Sequence, residues 1–464
     1  MSSSFFKKTK EKTKLGKRGR NAAAPTQKGD SGAKGKVQKK KHGSRYNEEI
    51  SSDSEPERKQ TKEEPEYDET PQEKKLRLAK LYLEQLKEEE ENKAEEDSFA
   101  TDLIAGRLQD DVVRIDKVIV PDASEIRMFR GHKLPITCLV ITPDEKCIIS
   151  AAKDCSIIKW DVKSGKKLHT IPGGRKGTED RHVGHTAHIL CMAISSDGKY
   201  LATGDMNKLI MIWEAETCKH LYKFPGHKGP VSGLSFRKGT HDLYSASQDR
   251  SVKVWNVAEN AYVETLFGHQ DSITGLDSLS RERCVTAGGR DGTVRVWKII
   301  EESQLVFHGH AGSIDCIQLI NEEHMITGAD DGSVCLWSVN KKKPLTTVKK
   351  AHGCYSDTEL EQPHWISSVA AVHNSDLVAS GSHNSNIQLW KCGHNYRSLE
   401  PLFSVPVSGF VNSLKFSSSG QFLVAGVGQE HRLGRWWRLK EAKNGIYVIP
   451  LKRKRDQEAD ETDD

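Results

Sequence analysis

From about residue 124 to 451 the chain is a succession of short apolar stretches separated by clusters of Gly, Asp, Asn and Ser. The segment VSGLSFRKGTHDLYSASQDRSVKVW, ending at Trp255, shows the rhythm. An apolar run is followed by a polar turn, a second run LYSAS, a tight turn at Gln248-Asp249-Arg250 and the alternating SVKVW, which predicts consecutive antiparallel strands. Asp suits such a turn because its side chain bonds nearby backbone amides and tolerates unusual φ. Equivalent turns stand at Lys153-Asp154, Arg290-Asp291 and Asp330-Asp331, with Asn207 and Asn384 in the acid position of two further units.

The rhythm is periodic. A Gly-His pair or close relative recurs at His132, His185, His227, His269, His310 and His352, followed by Trp160, Trp213, Trp255, Trp297, Trp337 and Trp390. The His-to-Trp offset is 28 in four units, 27 in the fifth and 38 in the sixth, and from 185 onward the histidines lie 42, 42, 41 and 42 residues apart. That period and offset resemble the WD-repeat family, whose units are four-stranded antiparallel blades arranged as a propeller. A seventh, degenerate unit is read in VNSLKFSSSGQFLVAGVGQEHRLGRWW (411–437), with a terminal Trp pair but no Gly-His. The expected fold is all-β, a seven-bladed WD-repeat β-propeller over 124–451. Either Glu125–Phe129 or GIYVIPL (445–451) can close the ring; the N-terminal strand is favoured, because ETLFGH and QLVFHGH precede their Gly-His pairs in the same way.

In the WD-repeat family the histidine, a Ser or Thr of the second strand, the turn acid and the Trp form one buried hydrogen-bonded chain. The resemblance implies His132, Ser150, Asp154 and Trp160 in blade one. It implies His227, Ser245, Asp249 and Trp255 in blade three, and His310, Thr327, Asp331 and Trp337 in blade five. Blade four is expected to depart, with Ala287 where the hydroxyl belongs. Blades two and six, with Asn at the acid position, should have weaker networks. Ser, His and Asp recurring at fixed offsets in repeat after repeat are structural glue, because a catalytic triad needs one exposed nucleophile beside an oxyanion hole.

Composition changes the picture at the ends. Residues 1–45 hold 15 Lys and Arg against Glu11 and Asp30, and residues 46–100 hold 19 Asp and Glu against 9 Lys and Arg, leaving about +2 of the chain's net +5 for the rest. Both blocks are too polar to bury a core, so residues 1–69 read as a disordered arm, basic then acidic. Its basic clusters, including Lys7, Lys8, Lys17, Arg18 and Arg20, then Lys39, Lys40 and Lys41, read as a nuclear localisation signal or a phosphate-binding arm. Ser51, Ser52 and Ser54 precede acidic residues and are phosphorylation candidates. Thr70, Pro71 and Glu73 make a capping box for a helix over 70–97, whose Leu76, Ala79, Leu83 and Leu86 form a narrow apolar stripe for docking a partner or the propeller itself. Residues 98–123 read as linker and 452–464 as a charged tail. Ten cysteines occur without a CxxC pair, as reduced core residues do in an intracellular protein. There is no secretion signal and no membrane-spanning run. With no phosphate-binding loop, metal cluster or nucleophile motif, neither enzyme activity, cofactor nor small-molecule substrate is expected.

A narrower resemblance follows. NEEISSDSE, QEKKLRLAKLYLEQL, AAKDCSIIKW, QDRSVKVWNVAENAYVETLFGHQD, TAGGRDGTVRVWKI, LINEEHMITGADDGSV and VAGVGQEHRLGRWWR are similar to the WD-repeat proteins of the U3 small nucleolar ribonucleoprotein, from about residue 47 to 451. The resemblance implies binding to the box B/C region of U3 snoRNA beside the kink-turn-binding core protein of box C/D particles. It also implies action in the nucleolus, in the small-subunit processome that matures pre-18S rRNA. The near-neutral propeller then requires a focused RNA patch. Residues preceding the turn acid lie on one rim, which makes Lys153 and Arg290 candidate phosphate ligands. The seventh unit, having given up its structural histidine, gathers His431, Arg432 and Arg435 as the leading RNA candidates. Arg175 and Lys176, on the inserted loop 172–184, are secondary. The competing function is a ubiquitin-ligase substrate receptor. Such receptors often carry Trp-Asp-x-Arg, which this chain reduces to Trp160-Asp161-Val162-Lys163.

Overall fold

The computed structural model describes residues 118–178, 181–355 and 362–452. The nuclear-signal lysines and arginines, Ser51, Ser52, Ser54, the helix read over 70–97 and the tail from 453 lie outside the described residues.

Seven four-stranded antiparallel sheets form the described chain. The first comprises Ile136–Ile141, Cys147–Ala152, Ile157–Asp161 and Lys167–Ile171. In each sheet the inner three strands are almost wholly buried and the outermost is half-exposed, as in Lys167–Ile171. Each inner strand packs on the inner strand of the next sheet, and the seventh returns to the first, so the ring closes. Apolar clusters fill the wedges between neighbouring sheets, with Trp160, Trp213 and Trp337 among the most deeply buried side chains.

The first and last strands of the described residues both enter the seventh blade. Its order is Phe410–Phe416, Phe422–Gly428, Gly445–Pro450 and then Arg127–Phe129. The N-terminal strand is outermost, with Met128 opposite Tyr447. The C-terminal strand takes the third place, which the sequence reading had given to the Trp436-Trp437 pair. The nearly continuous apolar run GIYVIP suits a buried third strand, whereas HRLGRWWRLK places charges where that strand must be buried. Residues 429–444 are therefore a long loop between the second and third strands.

One feature repeats in all seven blades. The register slips near the start of each inner strand, at Ile136/Cys138, Ile189/Cys191, Val231/Gly233, Ile273/Gly275, Ile314/Cys316, Ile366/Ser368 and Val411/Ser413. The residue left over at each bulge is polar in six blades: Thr137, Ser232, Thr274, Asp315, Ser367 and Asn412. Several of these reach the next blade. Ser232 Oγ donates to Ile273 O at 2.5 Å, Thr274 Oγ1 to Ile314 O at 2.5 Å, Ser367 Oγ to Val411 O at 2.7 Å and Asn412 Nδ2 to Ile136 O at 2.9 Å. The central channel is thus laced by blade-to-blade hydrogen bonds, made by side chains that also bond within their own blade, as Ser232 does to Ala246 O and Ser367 to Gly381 O.

Candidate nucleic-acid interface

The loops that enter each inner strand, and the turns between second and third strands, share one end of every blade and define the upper face. The histidine networks lie just beneath it. In blade three the Trp255 indole N–H donates to Ser245 Oγ (2.8 Å), which pairs with His227 Nε2 (2.8 Å), while His227 Nδ1 meets Asp249 Oδ2 (3.1 Å). Blade one has the same indole and hydroxyl contacts, but His132 Nδ1 bonds Ser156 Oγ at 2.9 Å with Asp154 Oδ1 farther away at 3.4 Å. In blade five His310 Nδ1 likewise bonds Ser333 Oγ (2.9 Å), and Asp331 is reached only through that serine. Deprived of a direct carboxylate, buried His310 is pushed down to about 4.

Two expectations are corrected. Blade four is complete: Thr286, not the Ala287 position, supplies the hydroxyl, accepting from Trp297 Nε1 at 2.8 Å and meeting His269 Nε2 at 2.7 Å, with Asp291 at 2.7 Å on Nδ1. The His-to-hydroxyl spacing is 17 there and 18 in blade three, and a one-residue change reverses which face a strand residue occupies. Blade two is complete as well, because Asp205, two residues before Asn207, holds His185 Nδ1 at 2.8 Å while Thr203 and Trp213 finish the chain. Blade six keeps Asn384, at 3.3 Å from His352 Nδ1. In every network the hydroxyl is buried and already accepts an indole N–H, so no substrate carbonyl can approach it.

The RNA candidates of blade seven are separated by the fold. His431 is buried, its imidazole pushed down to about 3 by burial and then by Arg432 and Lys153, and it is closed to a ligand arriving from solvent. Arg432 turns into the channel, where Nη2 donates to Asp315 O at 2.6 Å. Lys153 is also corrected: it is buried, donates to Gly434 O at 3.0 Å and lies 3.5 Å from Glu430. Arg435 is two-thirds exposed and pairs with Glu430 at 2.7 Å. Arg290, Arg175 and Lys176 are exposed.

Glu430 is the anchor. Its carboxylate is nearly inaccessible yet serves Arg435, Lys153 and, at 3.9 Å, Arg438, while its carbonyl accepts from Asn412 Nδ2 at 2.9 Å. This buried charge is stabilised by cations around it, and it fixes the loop to blade one. Held this way, the loop presents Trp436, 60% exposed, and Trp437, 44% exposed. Beneath them lies a floor of rings: Trp436 is 5.5 Å from His431 and 6.5 Å from Trp365, and Trp437 is 5.6 Å from Tyr355 and 6.1 Å from His383. Burial, then His364 and His352, push His383 down to about 4, so the floor is uncharged at neutral pH. Two indoles in water beside Arg435 and Arg438 form a stacking surface with phosphate ligands at its edge. In the sequence the Trp pair reads as the end of a third strand. The missed signal was that the seventh unit has no Gly-His, hydroxyl or acid with which to bury an indole.

Fold and networks define a WD-repeat propeller, and six segments match the WD domain, G-beta repeat family model: 123–161, 178–214, 218–256, 260–298, 301–338 and 357–391. The chain is 67% identical over 395 residues to "U3 small nucleolar RNA-interacting protein 2" of Homo sapiens, covering 83% of each. To the Mus musculus protein of the same name it is 63% identical over 429 residues, covering 89% of this chain and 90% of the relative. It is 29% identical over 508 residues to "Ribosomal RNA-processing protein 9" of Saccharomyces cerevisiae, covering 82% of this chain and 89% of the relative. The solved "Structure of U3-55K" superposes with a TM-score of 0.70 at 68% identity, over 71% of this chain and all of that one. The chain belongs to the U3 small nucleolar RNA-interacting protein 2 family.

Proposed function

We propose that the protein is a non-catalytic RNA-binding and scaffold component of the U3 small nucleolar ribonucleoprotein, working in the nucleolus on pre-18S rRNA within the small-subunit processome. It binds U3 snoRNA, in the box B/C region next to the kink-turn-binding core protein. The observation that carries this reading is the loop 429–444, which spends a buried Glu430 to hold two indoles and two arginines in solvent. Double-stranded RNA offers no base faces to such a surface, so its ligand is an unpaired segment. The names of the relatives support U3 as the RNA.

The test is binding of U3 snoRNA to the purified full-length protein and to a Trp436→Ala/Trp437→Ala variant. Stacking contributes about 1–3 kcal/mol per base, so the variant should bind at least roughly fivefold more weakly with an unchanged melting temperature. Unaltered affinity in the folded variant would move the interface elsewhere. Crosslinking from cells that recovers cullin adaptors and no U3 snoRNA would favour the ligase-receptor reading.

A further inference from the structure

Blade three carries another group of cations on the same upper face, as far round the ring from blade seven as the closed order allows. A cavity of about 310 Å³ at its outer rim is lined by Gly226, Lys228, Arg250, Lys253, Thr265 and Phe267. Lys228 follows the network histidine, and its backbone N–H donates to Asp249 Oδ2 at 2.7 Å, which pins the loop while the ammonium stays exposed. Arg250 ends the tight turn at φ 70°, also exposed. Lys253 Nζ donates to Thr265 Oγ1 at 2.6 Å.

Asp249 is the only carboxylate lining the cavity, and it is fully engaged. Burial alone would raise it, but His227, the Ser251 hydroxyl and amide, and the Lys228 amide hold it well below the usual range. The cavity therefore has a net positive lining. Phe267 closes the outer strand with its ring 72% exposed, an apolar face left in water among three cations. Gly226, at φ 147°, keeps the floor open, since a Cβ there would sit 3.3 Å from the Trp255 ring.

We infer that this cavity holds one nucleotide of a single-stranded RNA, its base on Phe267 and its phosphates at Lys228 and Arg250. It is a second anchor for the strand that blade seven engages. The inference rests on the RNA-binding reading above. One ring among three cations matches the alternation of base and phosphate along a strand, whereas an isolated anion would have no use for the ring. Because blades three and seven are far apart on one face, the two anchors require an RNA that crosses the upper face, and each selects for unpaired nucleotides.

The test uses full-length protein and U3 snoRNA at several salt concentrations, with Lys228→Ala/Arg250→Ala and Phe267→Ala as separate variants. Each lost phosphate contact should flatten the slope of log K against log salt by roughly 0.7, about 1.4 for the double variant. Phe267→Ala should weaken binding about five- to 100-fold, and Phe267→Tyr should restore it. All three side chains are exposed, so melting temperatures should not move. Unchanged slope and affinity in both variants, with the Trp436→Ala/Trp437→Ala protein still losing RNA, would overturn this site and leave the main reading standing. Wild-type protein that fails to bind RNA would overturn both. A phosphorylated acidic peptide that binds the wild-type protein and loses affinity in the Lys228→Ala/Arg250→Ala variant, where binding of a single-stranded oligonucleotide is unchanged, would assign the cavity to a protein partner instead.

Discussion

Replacing Thr286 by Val is a direct test of whether the buried networks hold the blades together. The hydroxyl accepts from the Trp297 indole at 2.8 Å and meets His269 Nε2 at 2.7 Å, with no exposure to water. Valine preserves the shape and removes the hydroxyl that both partners share. Two buried polar groups lose their hydrogen bonds at about 1–3 kcal/mol each, so the loss is roughly 2–6 kcal/mol. With an unfolding entropy of about 2.1 cal/mol/K per residue, a propeller of this size shifts by about 1.5 °C per kcal/mol, so the melting temperature should fall by about 3–9 °C. Thr286→Ser keeps the hydroxyl and removes one methyl, costing about 1 kcal/mol. Ala287→Ser is the decisive companion. If the hydroxyl belonged at 287, serine there would stabilise the blade; Ala287 instead sits in the apolar cluster with Val294 and Phe307, so serine should destabilise by about 1–3 kcal/mol. Scanning calorimetry reads all three. A silent Thr286→Val, or a stabilising Ala287→Ser, would refute the assignment of the network in this blade.

Two further outcomes follow from charge burial. His310, His352 and His383 are held near 4 by burial, so between about pH 6.5 and 4 the unfolded chain binds protons that the folded chain refuses. Stability should therefore be present above pH 6.5 and fall as the pH drops towards 4, by up to about 1.4 kcal/mol per pH unit for each histidine; an unfolding midpoint flat from pH 7 to 4.5 would contradict this. Lys153→Met should loosen the 429–444 loop by removing the contacts to Gly434 O and Glu430. The expected signature is faster amide exchange and proteolysis confined to that loop, with weaker U3 binding; loss of RNA with unchanged loop protection would make Lys153 a direct ligand after all.

The repeat was legible in the chain because each blade is a local object. Its period, its turn acids and its buried Trp are set by contacts within some 40 residues, and strand alternation reports them directly. Blade count, ring and most network members followed. What the chain could not disclose was decided by contacts between distant segments. The turn between the second and third strands of blade four is one residue longer than in blade three, which puts the hydroxyl at 286 and not 287, and the acid of blade two was hidden by a nearer-looking Asn207. The third strand of blade seven comes from 445–450, where it pairs with the strand 127–129 from the other side of the repeat. That choice expels 429–444 from the sheet, exposes Trp436 and Trp437, and turns Arg432 into the channel. A run of cations in sequence says nothing of which ones a buried carboxylate will claim: Glu430 binds Lys153 on one side and Arg435 on the other. Side-chain type was written locally, but its availability to a ligand is a property of the closed ring.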